Sequence, residues 1–382
     1  MIGRKSFLAH VAIVLCGVGG LFAWGGVLTT WRHSELLAQD WIVYYAAISA
    51  ALAGKVSLIF DAASFTRYQY ETLTPWFSAA PVLHPWLYPP HYLLLLVPFG
   101  LLPFAPAYAA FVLITAVAAL AALARWPRGL MLLFFPASCV TALTGQNAFL
   151  STALLIGGFR LLDKQPVLGA IALGALSYKP QLWLMVPVAL AARRAWRPLF
   201  LACVTASVLV LASVTFFGLD AWRLWLDETV RAQDPAYNAW FKDTFLRGYS
   251  IYVAAALLGA DERIAWAVQF AAIILAAVLV WRAGPGLSAD RRIALLLVAT
   301  IVATPHLQFY DMALLAAAAI LLFDAAGIGL AELMLFALIW ALPLLRPSFL
   351  PIGRIVVPIA LLSFLAYASW ACRTNSPASK LA

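Results

Sequence analysis

Apolar runs follow one another along this chain at 7–30, 86–124, 129–144, 147–162, 166–178, 181–192, 198–217, 251–282, 293–304, 309–323, 327–345 and 352–372. Of the 382 residues 65% are hydrophobic and only 11% are charged, with a mean hydropathy of +0.93. No water-soluble core of this length carries that balance, so the chain reads as an all-α polytopic membrane protein. A full span needs about 20 residues, and several runs are shorter. Proline or glycine also interrupts two of the longest, 86–124 at Pro98, Pro103 and Pro106, and 251–282 near Gly259. Such segments are tolerated where they line a protein-enclosed or wet cavity. The pattern predicts about 11–13 membrane helices in one integral domain, residues 1–372, and a disordered tail, 373–382.

The net charge of +9 fits membrane anchoring rather than nucleic-acid binding. With the start of the chain in the cytoplasm, held by Arg4 and Lys5, most basic clusters fall on that side. They are Arg125/Arg128, Arg160/Lys164, Arg193/Arg194/Arg197, Arg282/Arg291/Arg292 and Arg373/Lys380. The run Phe7–Leu28 is too long for a signal-peptide core and reads as a retained helix. Two long segments, 31–86 and 218–250, then lie outside. The second is rich in aromatics (Trp222, Trp225, Tyr237, Trp240, Tyr249), as an interfacial belt is. Arg346 and Arg354 also fall outside. An anionic lipid or substrate accounts for them, and so does a topology shifted by one helix. The cysteines (Cys16, Cys139, Cys203, Cys372) sit in apolar segments without metal-ligand spacing and read as reduced.

Six polar islands interrupt the apolar sequence: Asp40-Trp41-Ile42-Val43-Tyr44-Tyr45, Phe60-Asp61, Tyr88-Pro89-Pro90-His91, Gly145-Gln146-Asn147, Tyr178-Lys179-Pro180, and Thr304-Pro305-His306 running on to Tyr310-Asp311. An unpaired polar group in hydrocarbon costs several kcal/mol, so ionisable residues at membrane depth mark functional cavities. In the topology above all six fall on the outer side, where one site can collect them.

The order and spacing of these islands resemble glycosyltransferase family 87, polyprenyl-phosphate-mannose-dependent mannosyltransferases of the GT-C superfamily. The resemblance covers roughly residues 35–325. Its elements are Asp40 with Tyr44-Tyr45, the Gly54…Phe60-Asp61 segment, Tyr88-Pro89-Pro90, Gly145-Gln146-Asn147, Lys179-Pro180 and Thr304-Pro305-His306…Tyr310-Asp311. Phe60 departs from it, because the family often has Tyr there. The resemblance implies a GT-C-type fold with a large first extracytoplasmic loop. It also implies sugar transfer, with inversion, from a polyprenyl-phosphate donor to a lipid or glycan acceptor at the outer face of a bacterial inner membrane, the sugar being mannose.

That chemistry needs a carboxylate to take the acceptor proton and a cation for the departing lipid phosphate. Asp40 is the candidate base; its structural alternative is an N-cap of a helix over 41–53. Lys179, between two apolar runs, either snorkels or meets an anion, and the resemblance points to the donor phosphate. His306 joins it there, or is simply structural. Tyr44, Asp61, Tyr88, Gln146, Asn147, Tyr310 and Asp311 are the candidate sugar or acceptor contacts. Helix starts, a hairpin tip and a helix cap are the plain alternatives for Tyr88, Gln146/Asn147 and Asp311. His84 and His91 read as interfacial. A monophosphate leaving group and a Lys/His pair imply no metal and no cofactor beyond the lipid-linked donor. Membrane lipids are the other expected partners, and oligomeric state is not legible. The competing classes are a transporter or lipid flippase, which places its polar residues near the midplane, and a scaffold, which gives Asp40, Lys179 and His306 no shared purpose.

Overall fold

The computed structural model describes residues 2–30, 38–76, 83–231, 235–283, 287–322, 329–345 and 352–374. The helices, in chain order, are α1 (Ile2–Thr30), α2 (Gln39–Leu52), α3 (Val56–Ile59), α4 (Ala62–Leu73), α5 (Tyr92–Gly100), α6 (Phe104–Leu123), α7 (Pro136–Thr144), α8 (Ala148–Leu161), α9 (Pro166–Ala175) and α10 (Pro180–Trp183). Then follow α11 (Met185–Ala192), α12 (Trp196–Phe217), α13 (Leu219–Arg231), α14 (Pro235–Leu246), α15 (Ile251–Leu257), α16 (Glu262–Arg282), α17 (Ala289–Ala303), α18 (Ala313–Leu322), α19 (Leu330–Ala341) and α20 (Gly353–Thr374). No strand occurs among the described residues.

Four helices, α6, α12, α16 and α20, are long and apolar enough to cross a membrane, and α7 with α8, bent by 117° at their junction, forms a broken span or a re-entrant loop. Five shorter apolar helical segments, such as His10–Gly25 and Leu330–Leu344, complete the apolar set among the described residues. The molecule is all-α and polytopic, and much of its apolar mass is in pieces too short to cross alone. The centre explains why. From Ile293 to Ala303 every residue of α17 is buried, and so is every residue of α18 from Ala313 to Leu321. A helix apolar all round needs neighbours on every side, and these two pack against each other with α20, α16 and α8 around them. The outer helices are the reverse: α12 exposes Phe200, Val208, Leu211 and Phe216, and α16 exposes Phe270, Ile274 and Trp281. Such surfaces suit lipid, not water.

Small residues set the close approaches. A Cβ on Gly158 of α8 would sit 2.7 Å from the Leu173 side chain of α9, and one on Gly169 of α9 would sit 2.7 Å from the Gly158 carbonyl. Contacts this close between helices are how apolar helices gain dispersion where lipid supplies no hydrophobic drive. The prolines of 86–124 act unequally. Only the 101–103 stretch breaks the helix: Pro98 stays inside α5, and Pro106 falls in the first turn of α6, where no intrahelical donor is needed. The break near Gly259 is present, with that residue at φ +93° between α15 and α16.

The two ends of the bundle differ in chemistry. At one end Arg160, on the last turn of α8, bonds Asp290 of α17 at 2.6 Å and the Leu123 carbonyl at 2.8 Å; Arg125 pairs with the same carboxylate, and Arg193 with Asp163 at 2.8 Å. The opposite ends of α8 and α17 carry Asn147 and Thr304. At 1.5 Å per residue α8 alone separates the two ends by about 20 Å. The segment 31–86 contributes α2, α3 and α4; its residues 31–37 and 77–82 lie outside the described set, as do Arg346 and the tail from Asn375 onwards. Tyr237, Trp240 and Arg373 lie in helices, but their side chains are not described.

Candidate active site

Five chain segments meet at the end opposite the arginines. The first is the start of α2. Ala38 precedes it in the left-handed region (φ 56°), fixed by its N–H to the Leu143 carbonyl of α7 at 2.8 Å. Asp40 therefore lies within the first turn of α2 rather than at its N-cap, and the helix dipole favours its negative charge there. Four residues on, Tyr44 shares its face and is buried. Tyr45 turns away and donates to the Leu102 carbonyl at 3.0 Å.

The second and third segments are Tyr88–Tyr92 and the bend Gly145-Gln146-Asn147. Gly145 has φ +72°, and a Cβ there would lie 2.6 Å from Cβ of Trp41 and 3.1 Å from the Tyr108 ring. Only glycine admits both the backbone turn and the close approach of α2. The turn carries Gln146 and Asn147 inward, 3% and 0% exposed, so the tip of this hairpin is core rather than surface. Gln146 Oε1 accepts from Tyr44, from Tyr88 (3.1 Å) and from the Asn147 N–H (2.8 Å), while the Tyr44 and Tyr88 hydroxyls lie 2.8 Å apart. Tyr92 stacks on Tyr178 with ring centroids 4.4 Å apart and accepts from Asn147 Nδ2 at 3.4 Å.

The fourth segment is the break between α9 and α10. Lys179 precedes Pro180, which excludes the helical conformation there; its φ and ψ are −125° and 77°. The side chain goes inward and does not snorkel. Lys179 Nζ donates to Asp311 Oδ1 at 2.5 Å and to Asn147 Oδ1 at 3.3 Å, and lies 5.3 Å from the Tyr310 ring centroid. The pair is 3% and 1% exposed. An ionised group so placed is tolerated only when its partner is present. Asp311, from the fifth segment, also accepts from the Gln308 N–H at 3.4 Å in a reciprocal capping box, so ion pairing and helix capping coexist in one side chain.

Asp40 faces this cluster. Burial pushes its carboxyl up to about 6, against the opposing pull of the Thr144 hydroxyl and the Lys179 charge; Asp311 adds to the rise. His306, half-buried against Phe245 with ring centroids 5.1 Å apart, is drawn down to about 4 by burial, with Asp311 opposing the fall and Lys179 adding to it. It is a neutral imidazole at pH 7, a hydrogen-bonding group rather than a second cation.

Asp61 has a capping role of its own. It is exposed, and its carboxylate caps α4 by accepting from the Ser64 N–H at 2.8 Å. His91 is buried rather than interfacial, bonded to Ser177 at 3.2 Å and stacked on Trp222 of α13 with rings 5.7 Å apart. His84 is partly buried, and its carbonyl accepts from Gln69 at 2.7 Å. Arg354 donates to the Leu246 carbonyl at 3.1 Å. Sequence reasoning missed Thr144, Tyr92 and Gln308 as neighbours of the site. Tyr92 was detectable as the residue one helical turn beyond Tyr88; Thr144 carried no signal beyond adjacency to Gly145. Among the described residues no three His, Cys, Asp or Glu side chains gather as a metal-ligand set.

A family model described as glycosyltransferase family 87 matches residues 86–305, more than half of the chain. The chain belongs to glycosyltransferase family 87. Membership makes it a membrane glycosyltransferase of the GT-C group. The matched span takes in Tyr88, Gln146, Asn147 and Lys179. Asp40, His306, Tyr310 and Asp311 lie beyond it, so the geometry alone joins them to the family-87 segment. No curated relative and no solved structure matches the chain.

Proposed function

We propose that this family-87 enzyme transfers a sugar, mannose, from a polyprenyl-phosphate donor to a hydroxyl of a lipid or glycan acceptor, with inversion and without a metal, at the outer face of a bacterial inner membrane. The observation that carries the reading is the convergence of a carboxylate of raised pKa, Asp40, on a buried cation, Lys179. An acceptor hydroxyl attacks the anomeric carbon, and its proton passes to the Asp40 carboxylate. The bond from that carbon to the phosphate oxygen breaks, and its electron pair leaves with the polyprenyl phosphate. A base on the face opposite the leaving group gives inversion, by analogy with inverting glycosidases.

Lys179 has three donor hydrogens, and Asp311 and Asn147 account for two. The third is the group we assign to the leaving phosphate, with neutral His306 as a further donor. Tyr44, Tyr88, Gln146, Asn147 and Tyr310 supply the hydroxyls and amides that would orient the sugar. We give Asp61 a place at the acceptor edge, since it is exposed on the same loop. The test is sugar transfer from polyprenyl-phosphate-mannose in membranes holding equal folded amounts of wild type or Asp40→Asn. Transfer by wild type alone supports both donor and base. Equal transfer by the two removes Asp40 from the mechanism. Transfer by neither rejects mannose or the donor class.

A further inference from the structure

The end of the bundle away from the active site holds a shallow, narrow cleft where α8, α11, α16 and α17 meet. Its walls are apolar and small, among them Ala189, Ala192, Val280, Ala289 and Leu296, and Arg193 and Arg292 also line it. With Ala283 these make four alanines lining one shallow groove, which a larger side chain would fill. The carboxylates nearby are engaged, Asp163 with Arg193 and Asp290 with Arg125 and Arg160, and Arg292 donates to the Leu287 carbonyl at 2.7 Å, so a bound phosphate shares donors that already have protein partners. Exposed Arg194, Arg197 and Arg282 flank the cleft, adding positive charge.

A second observation fixes the depth of this cleft in the membrane. Trp126, Trp196 and Trp281 are 82%, 59% and 56% exposed, and each is within three residues of an arginine in these loops. Exposed tryptophans in register with arginines mark the headgroup level of a bilayer. Below Trp281 the lipid-facing side of α16 is apolar. A ligand here therefore meets cations at the rim and hydrocarbon beneath.

We propose that this cleft binds an anionic glycerophospholipid, its phosphate between Arg193 and Arg292 and its acyl chains running down the α11–α16 surface. The site is separate from the transfer site and does not depend on the donor or sugar assigned above. Basic pockets between membrane helices recognise lipid phosphates through this combination of charge and apolar wall.

Native mass spectrometry of the full-length protein in detergent tests it, with phosphatidylglycerol and phosphatidylcholine titrated in parallel. We expect phosphatidylglycerol to bind the wild type selectively, and Arg193→Gln with Arg292→Gln to weaken it about thirtyfold, two near-surface cations' worth. Ala192→Leu keeps the arginines, fills the cleft and should weaken binding too; it decides the matter if the double variant does not fold. Equal binding of phosphatidylcholine, or unchanged phosphatidylglycerol binding in the variants, overturns the proposal. So does equal thermal protection by inorganic phosphate, which would make the cleft a small-anion site.

Discussion

Asp40 sits in two energetic conflicts at once. As the proposed base it must be ionised, and burial opposes that, pushing its carboxyl up to about 6. Transfer should accordingly rise with pH through about 6 and level above it, since only the deprotonated form accepts the acceptor proton. His306, drawn down to about 4, should add no limb between pH 5 and 8. The stability sign is opposite. A carboxyl whose folded value is raised stabilises the fold while protonated and loses that contribution as pH rises from its unfolded value to about 6. Asp40→Asn should thus lower the transfer rate by about 10²–10⁴-fold, yet melt at or above the wild-type temperature at pH 7.5 and at or below it at pH 4. A lower melting temperature at pH 7.5 would show that Asp40 is structural. For Lys179 and Asp311 the conflict is settled by pairing. Lys179→Ala should cost about 3–5 kcal/mol of stability in detergent unfolding, because it strands the Asp311 charge. Lys179→Met combined with Asp311→Leu should recover most of that loss and no transfer.

At the scale of elements, five of the six islands were legible as sequence because they coincide with a helix break or the approach to a helix, while Asp40–Tyr45 lies within the start of α2. Lys179-Pro180 lies between α9 and α10, Gly145 between α7 and α8, and Thr304-Pro305 after α17. The direction in which each break turns its side chains was not legible. Gln146 and Asn147 suit an exposed hairpin tip equally well until the 117° bend is seen. Nor did periodicity distinguish the roles of the prolines at 98, 103 and 106, since position within the first turn decides them. Asp40 read equally well as an N-cap because Ala38, a residue with no capping side chain, takes that place in a left-handed conformation, bonded to the Leu143 carbonyl. Gly145 is the element on which the site turns. Gly145→Ala should cost about 1–2 kcal/mol from backbone handedness alone, and more from the contact with Trp41. Gly54→Ala is the control, because φ is +73° there too but nothing lies within 4 Å of the new methyl. Thermal melts in detergent should order the two as Gly145→Ala below Gly54→Ala below wild type, and only the first should reduce transfer.

For the whole molecule, the central question is which end faces the cytoplasm. Hydropathy indicated a polytopic bundle and put its central runs, 293–304 and 309–323, close to the observed helices, but not why they are so short: α17 and α18 are wrapped by protein and need not match the bilayer. The arginine-rich end and the polar site are at opposite ends of α8 and α17. The exposed tryptophans beside the arginines set one interface, so the site is toward the other. The positive-inside rule then puts Lys164, beside Asp163 in an exposed turn, in the cytoplasm and Glu71 of α4 outside. In a background with all native cysteines replaced, a membrane-impermeant thiol reagent should label Glu71→Cys in intact spheroplasts. Lys164→Cys should react only after the membrane is disrupted. The reverse pattern would place the transfer site in the cytoplasm and remove the outward-facing acceptor from the proposed reaction while leaving the geometry of Asp40 and Lys179 intact. Labelling of both from outside would mean the two ends are not separated by the bilayer. It would also undo the argument that α8 spans the distance between them.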